Sequence, residues 1–426
     1  MTVSGDLSQT GVLAVRAERK WVLIVSLGVV FFLLLMLYAA ILGVLLPNQI
    51  EDIDPAGKTA MLGIVFAITS VFSTVTTPVS GALSDRTRTR FGRRTPWIVI
   101  GGVVGGIATI LIPFGGTIVG VTAFWLVATV SLNSMQPAIT TVVADRFAPN
   151  ERGTVSGVVG ASMTAGVSSG TIFGGLLAGH LFLAYAIIGA GIIIACLAFV
   201  LINPEPPLPA TQSPQEPFRL GPFLRSFWIS PTDHPDFAWA FFGRFSIYMG
   251  YQGILTYLLY ILEDHIGLGQ ARANLTIAHM SSVTFVALVI SGLLSGWLSD
   301  RIGRLKPLVF AAGLIMAIAE LAPVVSPDVE GMFAYAALIG LGYGAFMSVD
   351  LALMTRVIPS RPAGDEATGK DLGILTTAIN VPQILSPVLA ATLLHASGNN
   401  YTLLFIVAGG FVLVGACLVL PIRSVR

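Results

Sequence analysis

The chain is dominated by long apolar segments separated by short polar ones. A hydrocarbon core about 30 Å thick is crossed by a helix of about 20 residues. Lipid offers no hydrogen-bond partner to a backbone, so such segments are predicted to be helices. The fold class is therefore all-α integral membrane. Twelve spans are expected, at 22–46, 60–83, 96–114, 118–146, 153–178, 182–202, 237–262, 274–298, 307–325, 332–357, 372–395 and 401–421.

Composition excludes several functional classes. Only 11% of the 426 residues are charged and 54% are hydrophobic, whereas soluble domains carry about 25% charged residues. A net charge of +1 argues against nucleic-acid binding. The five histidines and two cysteines are scattered without a ligand spacing, so no metal or cofactor is expected. No nucleophile elbow or phosphate loop occurs either, and the protein is not expected to be an enzyme.

Basic residues predict the orientation. With twelve spans, all but three of the 23 lysines and arginines lie on the side that holds both termini. The exceptions are Lys58 and Arg272 on the other side and Arg244 within a span. The positive-inside rule therefore predicts a multi-pass protein of the cell membrane, surrounded by lipid, with both termini cytoplasmic.

A proline-rich segment divides the chain. Residues 203–236 contain nine prolines, which exclude a continuous helix and favour an extended linker. The predicted domains are a six-helix bundle at 1–202, a cytoplasmic linker at 203–236 and a second six-helix bundle at 237–426.

A motif repeats after the second span of each half. Gly-x-Leu-Ser-Asp-Arg occurs at 81–86 and again at 296–301, and each copy opens a short basic loop. The glycine is expected to allow close helix approach. The aspartate ends a helix, where the macrodipole disfavours it unless cations are near. We predict a gating cluster, against the alternative of simple positive-inside anchoring. Its residues are Gly81, Asp85, Arg86, Arg90, Gly92, Arg93, Arg94, Gly296, Asp300, Arg301, Gly303 and Arg304.

This motif, with the arginines and glycine that follow it, resembles the signature loop of the major facilitator superfamily. The resemblance covers essentially the whole chain. It implies two pseudo-symmetric six-helix bundles, alternating access, and a central cavity lined by the first, fourth, seventh and tenth helices. It also implies a secondary transporter of a small-molecule substrate, expected to function as a monomer.

A finer resemblance is to the bacterial glycoside/sucrose:cation symporter group. It rests on Ser-Val-Asp-Leu-Ala-Leu at 348–353, Gly-Lys-Asp-Leu-Gly-Ile at 369–374, Pro-Gln at 382–383 and Arg-Thr-Arg-Phe-Gly-Arg-Arg at 88–94. Members of that group generally carry sugars or glycosides with protons or sodium. Melibiose-type relatives place acids for sodium in the second helix, and residues 60–80 contain none here. The coupling ion is therefore expected to be a proton.

Two opposite charges lie at similar depth in the seventh and tenth spans. Arg244 and Asp350 each lie about seven residues, or about 10 Å, from the cytoplasmic end of the helix. Equal depth permits an ion pair. The hypothesis is that Asp350 binds the coupling proton and that Arg244 modulates it or contacts substrate. The alternative is a fixed structural salt bridge.

Polar residues at helical spacing predict the rest of the cavity. Tyrosine rings stack on sugar faces and amides bond hydroxyls, although bonds between helices explain the same residues. The predicted substrate-binding residues are Arg244, Tyr248, Tyr251, Gln252, Asn133, Gln136, Tyr343, Asn380 and Gln383.

Two further acids are open to more than one interpretation. Asp145 follows Gln136 by nine residues, as a functional Asp does in plant sucrose carriers of the related group. It is predicted to be a second proton-coupling residue, with a loop charge network as the alternative. Glu320 in the ninth span is expected to snorkel or to make a local bond.

The fifth span supports a rival function. Gly157, Gly166, Gly170, Gly174 and Gly175 have the spacing found in proton-coupled drug antiporters, although Thr171 replaces the proline of that motif. Small-residue packing explains the glycines equally well. The predicted function is a proton-coupled transporter of a small polar solute such as a sugar or glycoside, with export of a drug or natural product as the alternative.

Overall fold

The computed structural model describes residues 17–148, 151–205, 234–357 and 368–423, and these ranges are helical without a strand. The first helix, α1, runs over Ala17–Ala40 and continues through a π-helical turn, Ile41–Leu45, into Leu46–Ile53. The others are α2 (Lys58–Arg86), α3 (Thr95–Leu111), α4 (Ile118–Arg146), α5 (Arg152–Leu177), α6 (Leu181–Ile202), α7 (Pro235–Tyr260), α8 (Gln270–Ile302), α9 (Lys306–Val325), α10 (Val329–Val357), α11 (Thr368–Ala396) and α12 (Tyr401–Cys417).

Nine helical stretches of the described chain are long and apolar enough to cross a membrane. One of them, Arg152–Ile202, contains both α5 and α6, and the apolar parts of α11 and α12 are shorter. Large apolar side chains such as Val119, Leu201 and Val325 are exposed along the helices, as lipid-facing positions require. The predicted all-α membrane fold is confirmed.

Some helices extend beyond their predicted ends because buried polar side chains find partners. α1 continues past the predicted residue 46 to Ile53, and α8 begins at Gln270 rather than at 274. Asn48 and Asn274 are both buried, and the Nδ2 of each donates to the Oδ1 of the other at 2.8 Å. This reciprocal amide pair satisfies polar groups that a hydropathy profile counts as unfavourable in a span.

Prolines interrupt several spans, and side chains bond the carbonyls near them. Pro382 and Pro387 both lie inside α11. The Tyr257 hydroxyl donates to the carbonyl of Pro387 at 3.1 Å, and Ser386 Oγ donates to the carbonyl of Met249 at 2.6 Å. Such bonds allow an interrupted helix to persist in lipid, and they join α11 to α7.

The chain forms two compact units. The first contains the described residues of Met1–Ala39, Phe72–Gly170 and Phe182–Glu216. The second contains those of Ala40–Val71, Thr171–Leu181 and Pro217–Arg426. One end of α1, α2 and α5 therefore groups with α7 to α12. Of the predicted linker 203–236, residues 206–233 lie outside the described residues.

Candidate functional site

An ion pair joins α7 to α10 inside the second unit. The Arg244 Nε lies 3.0 Å from the Asp350 Oδ2, and the two side chains are only 8% and 3% exposed. The N–H is not aligned for a hydrogen bond, so the attraction is between the charges. Burying two charges is costly unless they meet. The structure thus shows the contact that equal depth in the two spans permits.

Tyrosines surround this ion pair. Tyr248 lies one turn beyond Arg244, and its hydroxyl is 3.4 Å from the hydroxyl of Tyr343. Tyr251 and Tyr343 stack face to face, with centroids 4.6 Å apart and planes 11° from parallel. The charges of Arg244 and Asp350 act on the Tyr248 and Tyr343 hydroxyls. Five of the predicted site residues, from α7 and α10, therefore form one aromatic and charged cluster.

Glu320 adds a buried acid beside this cluster. It is 0% exposed, and neither carboxylate oxygen has a hydrogen-bond partner among the described residues. Its side chain lies near those of Tyr251 and Tyr335. The expectation that Glu320 snorkels is wrong, because its helix face packs inward. The sequence carried a signal for this: Gly313, Ala317 and Glu320 share one face, and small residues mark helix contacts.

The remaining predicted substrate residues are placed differently. Gln252 is half-buried on α7, and the Gln383 side chain is exposed on α11. The Asn380 side chain lies outside the described residues. Asn133 and Gln136 belong to α4 in the first unit, where Asn133 donates to the carbonyl of Thr129 and accepts from Thr77. Asn133 thus makes hydrogen bonds within α4 and to α2, as the alternative interpretation of this residue predicted.

The first copy of the repeated motif forms a charge network within the first unit. Arg94 NH2 lies 2.6 Å from Asp85 Oδ1, and its NH1 donates to Ser84 Oγ at 3.0 Å. Asp145 Oδ1 and Oδ2 are 2.7 Å and 3.2 Å from Arg93 and Arg94. The predicted requirement of Asp85 for a cation is therefore met by Arg94. These contacts match the charge-network interpretation of Asp145, and its role in proton coupling stays a prediction.

Glu205 completes this network from the end of α6. Its Oε2 accepts from the backbone N–H groups of Arg94 and Thr95 at 2.8 Å and 3.1 Å. A carboxylate there caps the first turn of α3, where the helix dipole favours negative charge. No sequence pattern predicts this contact, because Glu205 lies about 110 residues away along the chain.

The glycines of the motif do not pack as predicted. A Cβ at Gly81 would meet Pro137 only at an ordinary 3.5 Å, and one at Gly296 would meet nothing within 4 Å. Close approach of helices is therefore the wrong reason for these residues. Positive φ explains others: Gly92 at +94° lies in the loop after α2, and Gly303 at +66° ends α8.

The arginines of both motif copies are described in part. Arg90 stacks on Phe91 and Arg301 on Trp297, at 4.6 Å and 5.3 Å. Arg86 interacts with another group of the protein, and the Arg304 side chain is exposed. The side chain of Asp300 lies outside the described residues, so only the first copy can be seen as a network.

Two glycines of α5 pack tightly against α1. A Cβ at Gly166 or Gly170 would collide with the backbone at Phe32 or Met36, whereas Gly157 faces open space. The packing explanation therefore accounts for part of the pattern.

Comparisons with known proteins agree with this architecture. The Major Facilitator Superfamily model matches residues 27–364 and again 240–426. The fujikurins efflux protein of Gibberella fujikuroi is 29% identical over 46% of this chain, which spans only 40% of that relative. Multidrug resistance protein 2 of Bacillus subtilis is 26% identical over 93% of this chain and 94% of its own length.

A solved structure shows the same fold. The bacterial homologue of the human lysosomal transporter Spinster, in an inward-facing and occupied conformation, matches with a TM-score of 0.72 at 14% identity. The match covers 96% of this chain and 97% of that one. With its helices, its signature loop and a family model that matches nearly its full length, this chain belongs to the major facilitator superfamily of membrane transporters.

Proposed function

We propose that this protein is a proton-coupled secondary transporter of the cell membrane that works by alternating access. The observation that carries the proposal is the buried Arg244–Asp350 pair beside the stacked Tyr251 and Tyr343. A buried ionisable pair in a membrane protein is expensive and typically marks an ion or substrate pathway. Both termini are cytoplasmic, and the protein functions as a monomer.

Coupling would depend on the charge of Asp350. When Asp350 binds a proton, it no longer attracts Arg244, whose charge then needs another partner. A substrate oxygen or water can supply that partner, so proton and substrate binding favour one another. Asp145, which contacts Arg93 and Arg94, remains a second candidate for proton binding.

The substrate would be a small polar solute with a flat or ring-shaped face, such as a sugar or glycoside. Tyr251 and Tyr343 offer aromatic faces, and Tyr248 offers a hydroxyl. Gln252 lies on α7, as Tyr248 and Tyr251 do, and Asn380 and Gln383 lie on α11. Asn133 and Gln136, on α4 in the first of the two predicted bundles (1–202 and 237–426), stay predicted substrate contacts.

Export of a drug or natural product is the second candidate, and the relatives named above favour it. Both the fujikurins efflux protein and multidrug resistance protein 2 are named for export or resistance. Aromatic faces beside a charge pair suit an amphipathic organic molecule as well as a sugar.

The repeated motif would control opening of the cytoplasmic side. Asp85 and Asp300 each end a helix before a basic loop, and Asp85 is paired with Arg94. In the proposed cycle these charges hold the cytoplasmic side closed when the cavity faces outward. They exchange partners when the cytoplasmic side opens.

The test begins with purified full-length protein. A thermal-shift screen of glycosides, sugars and amphipathic drugs identifies a ligand. Proteoliposomes are then given a pH gradient of either sign, and uptake and release of the labelled ligand are measured. Asp350→Asn should abolish proton-driven movement, while the exposed control Glu330→Gln should not. Undiminished proton-driven transport by Asp350→Asn would refute the coupling role, and the sign of the effective gradient separates import from export.

A further inference from the structure

A second buried charge cluster lies within the second unit, at the turn between α1 and α2. Lys58 Nζ forms ion pairs with three acids: Glu51 Oε1 at 2.8 Å, Glu263 Oε2 at 3.1 Å and Asp264 Oδ1 at 2.9 Å. The Lys58 and Glu263 side chains are only 10% and 6% exposed. Three carboxylates around one ammonium leave an excess of negative charge.

The neighbouring groups do not remove that excess. The Tyr401 hydroxyl donates to Asp264 Oδ2 at 2.8 Å, and the Tyr260 ring faces Lys58 Nζ at 4.6 Å. His265 lies beyond them, its ring 6.1 Å from that of Tyr401. In the described chain, every ion pair of these three acids is with Lys58. The titratable groups around the two glutamates are therefore Lys58, Asp264, Tyr260 and Tyr401, with His265 beyond Tyr401.

The two glutamates have oxygens that Lys58 does not reach. Glu51 Oε2 and Glu263 Oε1 are both buried, and neither accepts a hydrogen bond from any described residue. The two carboxyl groups are nevertheless neighbours, because both contact the same Lys58 Nζ, at 2.8 Å and 3.1 Å. Two ionised carboxylates only accept hydrogen bonds, so they repel at that separation. One proton between them turns one group into a donor and satisfies both oxygens.

We propose that Glu51 and Glu263 form a proton-binding site in which one proton, taken from water, is shared between Glu51 Oε2 and Glu263 Oε1. Lys58 neutralises the charge that remains on the pair, and Tyr401 orients Asp264 beside it. Among the described residues, no group of three or more acids, histidines or cysteines is arranged to hold a metal ion.

The site has a mechanical consequence, which rests on the proposed alternating access. Glu51 ends α1, Lys58 begins α2, and Glu263 lies in the π-helical turn that follows α7. With the proton in place, the cluster holds the α1–α2 turn against the end of α7. Loss of the proton puts two like charges in contact, which favours separation of these helix ends. Proton release would thus accompany opening on this side.

The experiment is infrared spectroscopy of the full-length protein in lipid nanodiscs, without substrate. A protonated carboxyl gives a C=O band that shifts in D₂O. Glu51→Gln and Glu263→Gln should each lose one carboxyl equivalent of this band, and the double variant should lose the same single equivalent. Glu330→Gln, which removes an exposed acid, should lose none. Retention of the full band in both single variants, or a doubled loss in the double variant, would overturn the shared proton.

Two further measurements keep the outcome decisive. If a Gln variant does not purify, Glu51→Asp retains a carboxyl, and its band should shift rather than vanish. The band should also be the same in sodium and potassium buffers, since displacement by sodium would identify a metal cation instead. Neither measurement requires transport, so failure of the proposed function would leave this test intact.

Opening is tested separately by hydrogen exchange at one fixed pH. Glu263→Gln supplies a permanent donor to Glu51 and should slow exchange at the α1–α2 turn relative to the wild type. Glu263→Ala removes the contact and should accelerate it, while Glu330→Gln should leave it unchanged. Equal exchange in all four proteins would show that the pair does not hold these helix ends.

Discussion

At the scale of single residues, the second unit keeps several ionisable groups away from water. Arg244 and Asp350 form an ion pair, whereas Glu320 has neither an ion pair nor a hydrogen-bond partner among the described residues. The sequence permitted this ion pair, because both groups lie at equal depth in their spans, but it did not show that they touch. Glu320 was not predicted as a site residue, although the small residues Gly313 and Ala317 on its face indicated that this face packs against another helix.

The ion pair predicts a specific pattern of stability. Asp350→Asn should lower the free energy of unfolding by about 3–5 kcal/mol, because it leaves the Arg244 charge buried and unpaired. The double variant Arg244→Met with Asp350→Leu should recover most of this loss but abolish transport. Unfolding in denaturing detergent measures the difference, with Glu330→Gln as the exposed control. A double variant no more stable than Asp350→Asn would contradict this account.

The stacked tyrosines predict a graded effect on binding. Tyr251→Phe keeps the ring and should change the dissociation constant of the screened ligand only slightly. Tyr251→Ala removes an aromatic contact worth about 1 kcal/mol or more and should weaken binding roughly tenfold. Titration of purified protein provides the measurement. Equal affinity in wild type and Tyr251→Ala would place the ligand elsewhere.

At the scale of elements, hydropathy predicted that the helices exist but not where they end. The end of α1 was missed because Asn48 and Gln49 are polar and yet buried. The cost of burying Asn48 in lipid is offset by Asn274 on another helix, which a window along one segment does not show. The proline-interrupted α11 was found because its apolar residues continue on both sides of the prolines.

Packing between α5 and α1 predicts a difference between glycines of one helix. Gly170→Ala should destabilise the protein by about 1–3 kcal/mol, because its Cβ would meet the Met36 carbonyl and Ala39. Gly157→Ala should be neutral or slightly stabilising, since its surroundings are open and alanine favours helix. Detergent unfolding of both variants compares them directly. Equal losses of unfolding free energy in the two variants would mean that helix propensity, and not the contact with α1, determines the effect.

At the scale of the whole molecule, the sequence was sufficient for the family but not for the two compact units. The signature loop and the twelve spans identify the superfamily, because both depend on short segments. The grouping of Ala40–Val71 and Thr171–Leu181 with the second unit depends on contacts between distant segments. The Lys58 cluster escaped notice for the same reason, since its acids lie on both sides of the predicted linker.

The repeated motif predicts slower turnover without loss of folding. Asp85→Asn and Arg86→Ala should each reduce the transport rate in proteoliposomes, because they remove charges that the proposed gating role requires. The Asp85 side chain is 48% exposed, so the change in unfolding free energy for Asp85→Asn should stay below about 1 kcal/mol. Asp300→Asn should behave like Asp85→Asn. Full transport rates in all three variants would leave the motif with an anchoring role only.

The reciprocal bond between Asn48 and Asn274 has a consequence for how the protein can evolve. Each amide is both donor and acceptor to the other, so changing one alone strands a polar group in a dry interface. Substitutions at these two positions, 226 residues apart, should therefore appear together in descendant lineages. If related sequences often replace one asparagine while the other is retained, the two residues do not depend on each other in this way.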